Sequence, residues 1–85
     1  MHRRFVVVGS AVGLHARPAA LIAEATANFG SPVYLSLSER GEVDAGSALM
    51  IMTLSARQGD IVVVSSEDQA AMDLIAELVE KDLDT

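Results

Sequence analysis

The feature that most constrains this sequence is the absence of cysteine from a chain of only 85 residues. A chain of this length buries roughly 60% of the surface that it exposes when unfolded, so small domains often add disulfides or a thiolate-bound metal. Neither device is available here, so the fold must depend on packing. Apolar residues make up 51% of the chain and aromatic residues 4%. We therefore expect one domain, spanning residues 1–85, with an aliphatic core.

Charge and hydropathy exclude several classes of partner. Six basic and twelve acidic residues give a net charge of −6, which is poorly suited to holding a nucleic-acid backbone. Uninterrupted apolar runs, such as positions 5–8 and 48–52, reach no more than five residues, which is far shorter than the roughly 20 residues that span a bilayer. No signal-peptide core follows the arginines at positions 3 and 4. We expect a cytoplasmic protein with no nucleic-acid partner and no direct membrane insertion.

Charge is also distributed unevenly along the chain. The first 20 residues carry three arginines and no acid, whereas residues 60–85 carry eight acids and one lysine. The beginning of the chain therefore favours anions, and its end repels them.

Strand patterns occur at four places. Residues 5–8 and 61–64 are short β-branched runs, which predict buried strands. Residues 33–37 alternate between apolar and polar side chains, as is typical of a half-buried strand. A turn at residues 39–42 and a short strand around residues 42–44 predict a hairpin.

Helical patterns fill the spaces between these strands. An alanine-rich stretch begins at His15 and ends at Gly30, a typical C-terminal cap. Residues 47–54 are apolar with no clean period, so strand and helix both remain open, although a helix-like start favours a short helix. Ser66 and Gln69 have capping-box spacing before a last amphipathic segment. The predicted order is β-α-β-β-α-β-α, an α+β fold in which helices cover one face of a four-stranded sheet. Spacing alone does not fix the strand order.

Residues 12–20 place an imidazole and a guanidinium at the start of a helix. Helix N-termini present unpaired N–H groups and a partial positive charge, which favour a phosphate. Because a residue before proline avoids the helical region, Arg17 is an alternative cap, with Pro18 as the first helical residue. His15 lies beside the open helix end in either case. A neutral imidazole has a ring nitrogen that can attack a phosphoryl group. The alternative is a solvated, inert surface histidine.

The segment VGLHARPA at residues 12–19 resembles the phosphorylation-site motif of HPr. HPr is the histidine-containing phosphocarrier family of the bacterial phosphoenolpyruvate-dependent sugar phosphotransferase system. The resemblance extends to the chain length, the serine at position 47 before an apolar segment, the Gly59-Asp60 turn and the amphipathic C-terminal helix. Residues 47–52 and the tail at residues 82–84 are most similar to actinobacterial members.

The resemblance implies an open-faced β-sandwich, in which three helices cover one face of a four-stranded antiparallel sheet of order 1-4-2-3. It implies that His15 accepts a phosphoryl group on Nδ1 from phosphorylated Enzyme I and passes it to sugar-specific Enzyme IIA proteins. By the same resemblance Arg17 holds the phosphoryl group. The protein would then be a carrier rather than an enzyme, with no cofactor and no metal. From the residues themselves, His2 and His15 lack the third ligand that a metal site needs.

Ser47 matches the regulatory serine of the family, which a dedicated HPr serine kinase/phosphorylase modifies in some members. Its alternative role is a helix N-cap, for which serine is a preferred residue. The sequence departs from the family pattern here, with Gly46 where lysine is common and Met50 where glycine is common.

A partner-binding surface is expected around the histidine. Small alanines would let a partner approach closely, and methionine adapts to different partners. The apolar side chains of the second helix are expected to divide between the core and this surface. The residues concerned are Ala16, Ala20, Leu49, Met50 and Met52.

Two other functions compete with sugar-system phosphotransfer. One is an HPr-like regulatory or paralogous module that binds partners and is not dedicated to sugar transport. The other is an acyl-carrier-like protein modified at Ser47, although that family is all-helical and usually has aspartate before the serine. A monomer is expected, because a carrier must fit several active sites.

Overall fold

The computed structural model describes residues 1–37 and 41–83. Their elements follow the predicted order β-α-β-β-α-β-α, and residues 48–53, which have no clean period, form a helix. The predicted turn at residues 39–42 includes Glu39 and Arg40, which lie outside the described residues, as does Asp84 of the tail. The elements are β1 (His2–Val7), α1 (Ala16–Phe29), β2 (Tyr34–Leu37), β3 (Val43–Asp44), α2 (Ala48–Thr53), β4 (Ile61–Ser66) and α3 (Gln69–Glu80).

The four strands form one antiparallel sheet in the order β1-β4-β2-β3. Strands β1 and β4 pair along their full length, from His2 opposite Ser66 to Val7 opposite Ile61. Strand β2 pairs with the other edge of β4. This order confirms the one that the HPr resemblance implies. The acyl-carrier alternative is wrong, because that family is all-helical.

Among the described residues, the helices cover one face of the sheet. Val6, Val62 and Val64 are buried beneath them, whereas Phe5 is 71% exposed and Ile61 is 56% exposed on the other face. The prediction that both β-branched runs are wholly buried is therefore wrong. An antiparallel sheet can leave one face in water, and successive side chains then alternate between core and solvent. The open-faced sandwich is confirmed.

Strand β1 begins three residues earlier than the apolar run predicts. Its charged residue Arg4 lies on the helix side of the sheet, on the same face as Val6. The Arg4 guanidinium contacts Asp73 at 3.5 Å and Glu80 at 3.0 Å, both on α3. These partners allow a charged side chain at a half-buried position of the strand.

Helix α1 buries a narrow stripe of small and aliphatic side chains. Its buried residues include Ala19, Ile22 and Thr26, whereas Leu21 and Phe29 are each 40% exposed. The two exposed residues lie beside this stripe, and α1 packs against α2 and α3. The helix ends at the predicted cap, since Gly30 has φ of +88° and its N–H donates to the Thr26 carbonyl.

The N-terminus of α3 differs from the predicted capping box. Ser66 belongs to β4, and its hydroxyl donates to the Pro32 carbonyl at 2.7 Å. Asp68 is the N-cap instead, and its Oδ1 accepts the N–H groups of Ala70 at 3.0 Å and Ala71 at 3.3 Å. The side-chain pattern could not separate these two residues, because both serine and aspartate are favoured caps.

Candidate functional site

His15 is the N-cap of α1. Its backbone is extended, with φ of −83° and ψ of −164°, and its carbonyl accepts the Ala19 N–H at 2.9 Å. Ala16 is the first helical residue, so the alternative with Arg17 as cap is wrong. The imidazole is exposed and makes no capping hydrogen bond. Its ring nitrogens are therefore available to a partner molecule.

The first turn of α1 has unpaired backbone N–H groups that are available to an anion. The N–H groups of Ala16 and Arg17 have no acceptor within the part of the chain that the structure describes. Pro18, at the third position, has no N–H to offer. No acidic side chain occurs in the first turn. A phosphoryl group bound to His15 would therefore meet two amide donors and the partial positive charge of the helix end.

The loop before His15 is held in place by backbone contacts. The Leu14 N–H donates to the Ala56 carbonyl at 3.0 Å, and the Leu14 side chain is buried. Gly13 has φ of +73°, and a Cβ at this position would lie 2.3 Å from the Ala56 oxygen. Only glycine fits this conformation and this close approach. Ala56 therefore fixes where the chain enters α1.

A second set of hydrogen bonds joins the same two loops, and we call residues 8–14 with residues 55–60 the loop clamp. The Val8 N–H donates to the Asp60 carbonyl at 2.9 Å, and the Gly59 N–H donates to the Val8 carbonyl at 3.0 Å. The Gln58 side-chain amide donates to the Gly9 carbonyl at 3.2 Å. The His15 end of the protein is thus built from two segments that are distant in sequence.

Two exposed arginines lie at this end of the molecule. Arg17 is in the first turn of α1, and Arg57 is in the loop clamp. Neither makes an ion pair with any residue in the ranges 1–37 and 41–83. The sequence prediction included Arg17 and missed Arg57, because 42 positions separate Arg57 from His15 and only the loop clamp brings them to one end.

Ser47 is the N-cap of α2, as its alternative role requires. Its Oγ accepts the Met50 N–H at 3.3 Å, and its own N–H donates to the Asp44 carbonyl at 3.1 Å. The side chain is half-buried. Helix α2 packs against α1, so Ser47 begins a helix that adjoins the helix carrying His15.

The predicted partner-binding residues lie on α1 and α2. Ala16 and Ala20 are exposed on α1. On α2, Leu49 is 69% exposed and Met50 is 42% exposed. Met52 is half-buried, and Ile51 between them is buried in the core. The predicted division of α2 between core and surface is therefore confirmed.

The other histidine lies far along the sheet from this site. His2 pairs with Ser66 at the end of the sheet opposite the Val7–Ile61 pair, after which the chain continues toward His15. Within residues 1–37 and 41–83, no three acidic or histidine side chains are grouped so that they could hold a metal ion. No helix among these residues is long and apolar enough to cross a membrane.

Known proteins match this chain over nearly its whole length. The family model for the PTS HPr component phosphorylation site matches residues 2–81. The phosphocarrier protein HPr of Streptomyces coelicolor is 37% identical over 87 aligned residues, which cover 99% of this chain and 94% of that protein. This relative comes from an actinobacterium, the group that the apolar segment and the tail resemble.

Solved structures agree with the sequence comparison. HPr from Thermoanaerobacter tengcongensis has a TM-score of 0.87 and 30% identity, covering 100% of this chain and 98% of that chain. HPr from Bacillus anthracis has a TM-score of 0.82 and 27% identity, covering 92% of this chain and 95% of that chain. The sheet order, the helix that begins at the histidine and these matches lead to one conclusion: the chain belongs to the HPr family of phosphocarrier proteins of the phosphotransferase system.

Proposed function

We propose that His15 is the residue that carries the phosphoryl group. The observation that supports it most is the position of the imidazole, exposed at the N-terminus of α1 beside two unpaired amide donors. An N-cap residue usually uses its side chain to satisfy one of these donors. Here the imidazole leaves them open, and the helix end is prepared for a bound anion.

The reaction is a reversible transfer between nitrogen and a partner's atom. His15 Nδ1 attacks phosphorus on phosphorylated Enzyme I, so a new N–P bond forms while the bond from phosphorus to the donor breaks. In a second transfer, an atom of a sugar-specific Enzyme IIA protein attacks the same phosphorus, so a bond to that acceptor forms while the N–P bond to His15 breaks. The chain is a substrate and product of phosphotransferases rather than an enzyme, it acts in the cytoplasm, and it needs no cofactor of its own.

Arg17 is proposed to hold the phosphoryl group. A planar guanidinium can donate two hydrogen bonds to two phosphoryl oxygens, which an ammonium does less well. Its side chain is exposed and without an ion-pair partner among the described residues, so no internal contact must break first. The backbone N–H of the same residue lies in the first turn and adds a further donor.

The exposed side chains of Ala16, Ala20, Leu49 and Met50, with half-buried Met52, are proposed as the surface that partners contact. The small alanine side chains leave space around the imidazole, so that a partner's active site can reach the ring. The apolar side chains of α2 supply burial on docking.

Ser47 is proposed as a regulatory site for an HPr serine kinase/phosphorylase. It begins α2, so a phosphate there would add roughly −1.5 to −2 charges to the start of a helix. The fold would tolerate this charge at a helix N-terminus. The same charge would disturb docking of an apolar or acidic partner on the neighbouring Leu49 and Met50.

The experiment that tests the main proposal is incubation with Enzyme I and phosphoenolpyruvate, followed by intact mass and peptide mapping. One phosphoryl group on His15, labile in acid and stable in alkali, is the expected result. A label on His2, or none, would contradict it. A regulatory or paralogous module would differ at the next step, by failing to pass its phosphoryl group to any Enzyme IIA protein.

A further inference from the structure

The loop clamp contains a cation that the family motif does not include. Arg57 lies in the turn between α2 and β4, its side chain is exposed, and it has no ion-pair partner within the described ranges. Its backbone is fixed, because the Arg57 N–H donates to Asp60 Oδ2 at 2.9 Å and its carbonyl accepts the Asp60 N–H at 3.0 Å. An arginine on a fixed turn with no internal partner is available to an external anion.

Arg57 is close to the histidine loop. A Cβ built on Gly13 would lie 3.0 Å from the Arg57 Cα, and the preceding residue, Ala56, accepts the Leu14 N–H. Gly13 and His15 are two residues apart, so their Cα atoms are separated by at most about 7.6 Å. The Arg57 and His15 Cα atoms are therefore at most about 12 Å apart. The long arginine side chain and a phosphorylated imidazole can together span a separation of this size.

The charge of the product exceeds the single positive charge of Arg17. A phosphoryl group carries roughly −1.5 to −2 charges near neutral pH, while Arg17 supplies one full positive charge. The chain as a whole carries −6, so its general field does not favour an added anion. A second guanidinium at the same end would balance the remaining charge.

We propose that Arg57 is a second phosphoryl-binding residue, which donates charge-assisted hydrogen bonds to the phosphoryl group on His15. This inference rests on the proposed function, since it concerns the same modified histidine. Arg17 donates its hydrogen bonds from the first turn of α1, and Arg57 donates its own from the neighbouring loop of the loop clamp. The bound group would lie between two side chains and the amide donors of the helix end.

The test uses chemical phosphorylation, so that it does not depend on any partner protein. Phosphoramidate transfers its phosphoryl group to an imidazole nitrogen, with formation of the N–P bond and release of ammonia. All variants carry His2→Gln, so that His15 is the only imidazole that can react. The pKa of the attached phosphoryl group is then followed by phosphorus NMR as a function of pH.

Arg57→Ala is compared with Arg3→Ala, which removes the same charge. Arg3 is a suitable control because it is exposed on β1 and pairs with Ser65, near the opposite end of the sheet. We expect Arg57→Ala to raise the phosphoryl pKa by about half a unit, since a nearby cation favours the dianion. Arg3→Ala should leave it unchanged, and Arg57→Lys should retain most of the wild-type value.

Equal titration curves for Arg57→Ala and the parent protein would overturn the proposal, as would an equal shift in Arg3→Ala. Transfer from Enzyme I gives a second measurement, in which we expect Arg57→Ala to be roughly threefold to tenfold slower. Slower transfer with an unchanged phosphoryl pKa would also overturn it, because the arginine would then contact the partner. Failure of Enzyme I to modify His15 would instead contradict the proposed function, while the titration would still decide the role of Arg57.

Discussion

The N-termini of α1 and α3 show opposite solutions to the same problem. At α3, Asp68 accepts two backbone N–H groups, and the Ser31 hydroxyl donates to its second oxygen at 3.0 Å. At α1, the N-cap is His15, which makes no such bond. Helix ends are normally closed by polar side chains. One helix is therefore completed from within the protein, and the other is left for an external anion to complete.

The N-termini of α1 and α3 also differ in the charges that surround them. The Ser31 hydroxyl, followed by the N–H groups of Ala71 and Ala70, holds the pKa of Asp68 below its ordinary value. The α3 end thus already has its negative charge. At the α1 end, by contrast, the first turn contains Arg17 and no acidic side chain, so no negative charge from this turn offsets the partial positive charge of the helix end.

The largest effect is expected from closing the open helix end. His15→Asp replaces the imidazole with a favoured capping side chain that can accept the Arg17 N–H. Phosphoryl acceptance from Enzyme I should be lost completely, while the Tm should rise by a few degrees. Intact mass and thermal unfolding measure the two effects, with His15→Ala as the control that loses acceptance without gaining a cap. A lower Tm in His15→Asp than in His15→Ala would break the comparison.

Removing the cation at the open end should have the next largest effect. Arg17→Ala loses charge-assisted hydrogen bonds that contribute about 1.5–3 kcal/mol, so transfer should slow roughly 10- to 100-fold. Stability should change by no more than about 0.5 kcal/mol, because the side chain is exposed. Rapid-quench measurements test the expected transfer rate, and thermal unfolding tests the expected stability. A large loss of stability would indicate a structural role instead.

The closed end should respond in the opposite way. Asp68→Ala removes the cap and the Ser31 contact, so we expect the Tm to fall by several degrees with no change in transfer rate. Because the pKa of Asp68 is lower in the folded protein than its ordinary value of 3.8, its stabilisation is fully present above that value. It is lost as the pH falls through the folded pKa.

Thermal unfolding of both proteins from pH 7 to pH 2 checks this expectation. The difference in Tm between parent and variant should be constant near neutral pH and should shrink in acid. A difference that grows as the pH falls would contradict the assigned contacts. Slower phosphotransfer in Asp68→Ala would show that the two helix ends are not independent.

The smallest effects are expected at α2, whose cap is a single serine. Ser47→Ala should lower stability by about 0.5–1 kcal/mol through loss of the Met50 contact. Ser47→Asp should keep the Tm within a few degrees, because a carboxylate also caps, but it should slow transfer from Enzyme I severalfold. Thermal unfolding and transfer assays distinguish these effects. A normal transfer rate in Ser47→Asp would leave Ser47 as a cap alone.

Local signals predicted the helix at His15 well, because Gly30 ends it and the residues between favour a helix. The capping-box spacing predicts Ser66 rather than Asp68 as the cap of α3, because two favoured caps lie two residues apart and only strand pairing distinguishes them. The early start of β1 depends on Arg4 finding two acids on α3. The pattern of a single strand contains no information about such partners.

The sequence likewise predicts one part of the candidate site and misses another. His15 and Arg17 follow from their spacing before Pro18 and from the family motif. The proposed role of Arg57 could not be found by this route, because only backbone hydrogen bonds between two loops bring this residue to the His15 end of the molecule. Backbone bonds of this kind are largely independent of side-chain identity, so they leave little trace in the sequence beyond Gly13 and Gly59, which both have positive φ.

The loop clamp also bears on how the protein meets its partners. Its hydrogen bonds, together with the steric fit at Gly13, fix the backbone around the imidazole in the unbound protein. Association then requires little ordering of this surface, so less of the interaction energy is lost to conformational entropy. A preformed surface of this kind can meet dissimilar proteins in succession without being reordered for each one. Such reuse suits a molecule that must leave its donor before it can reach its acceptor.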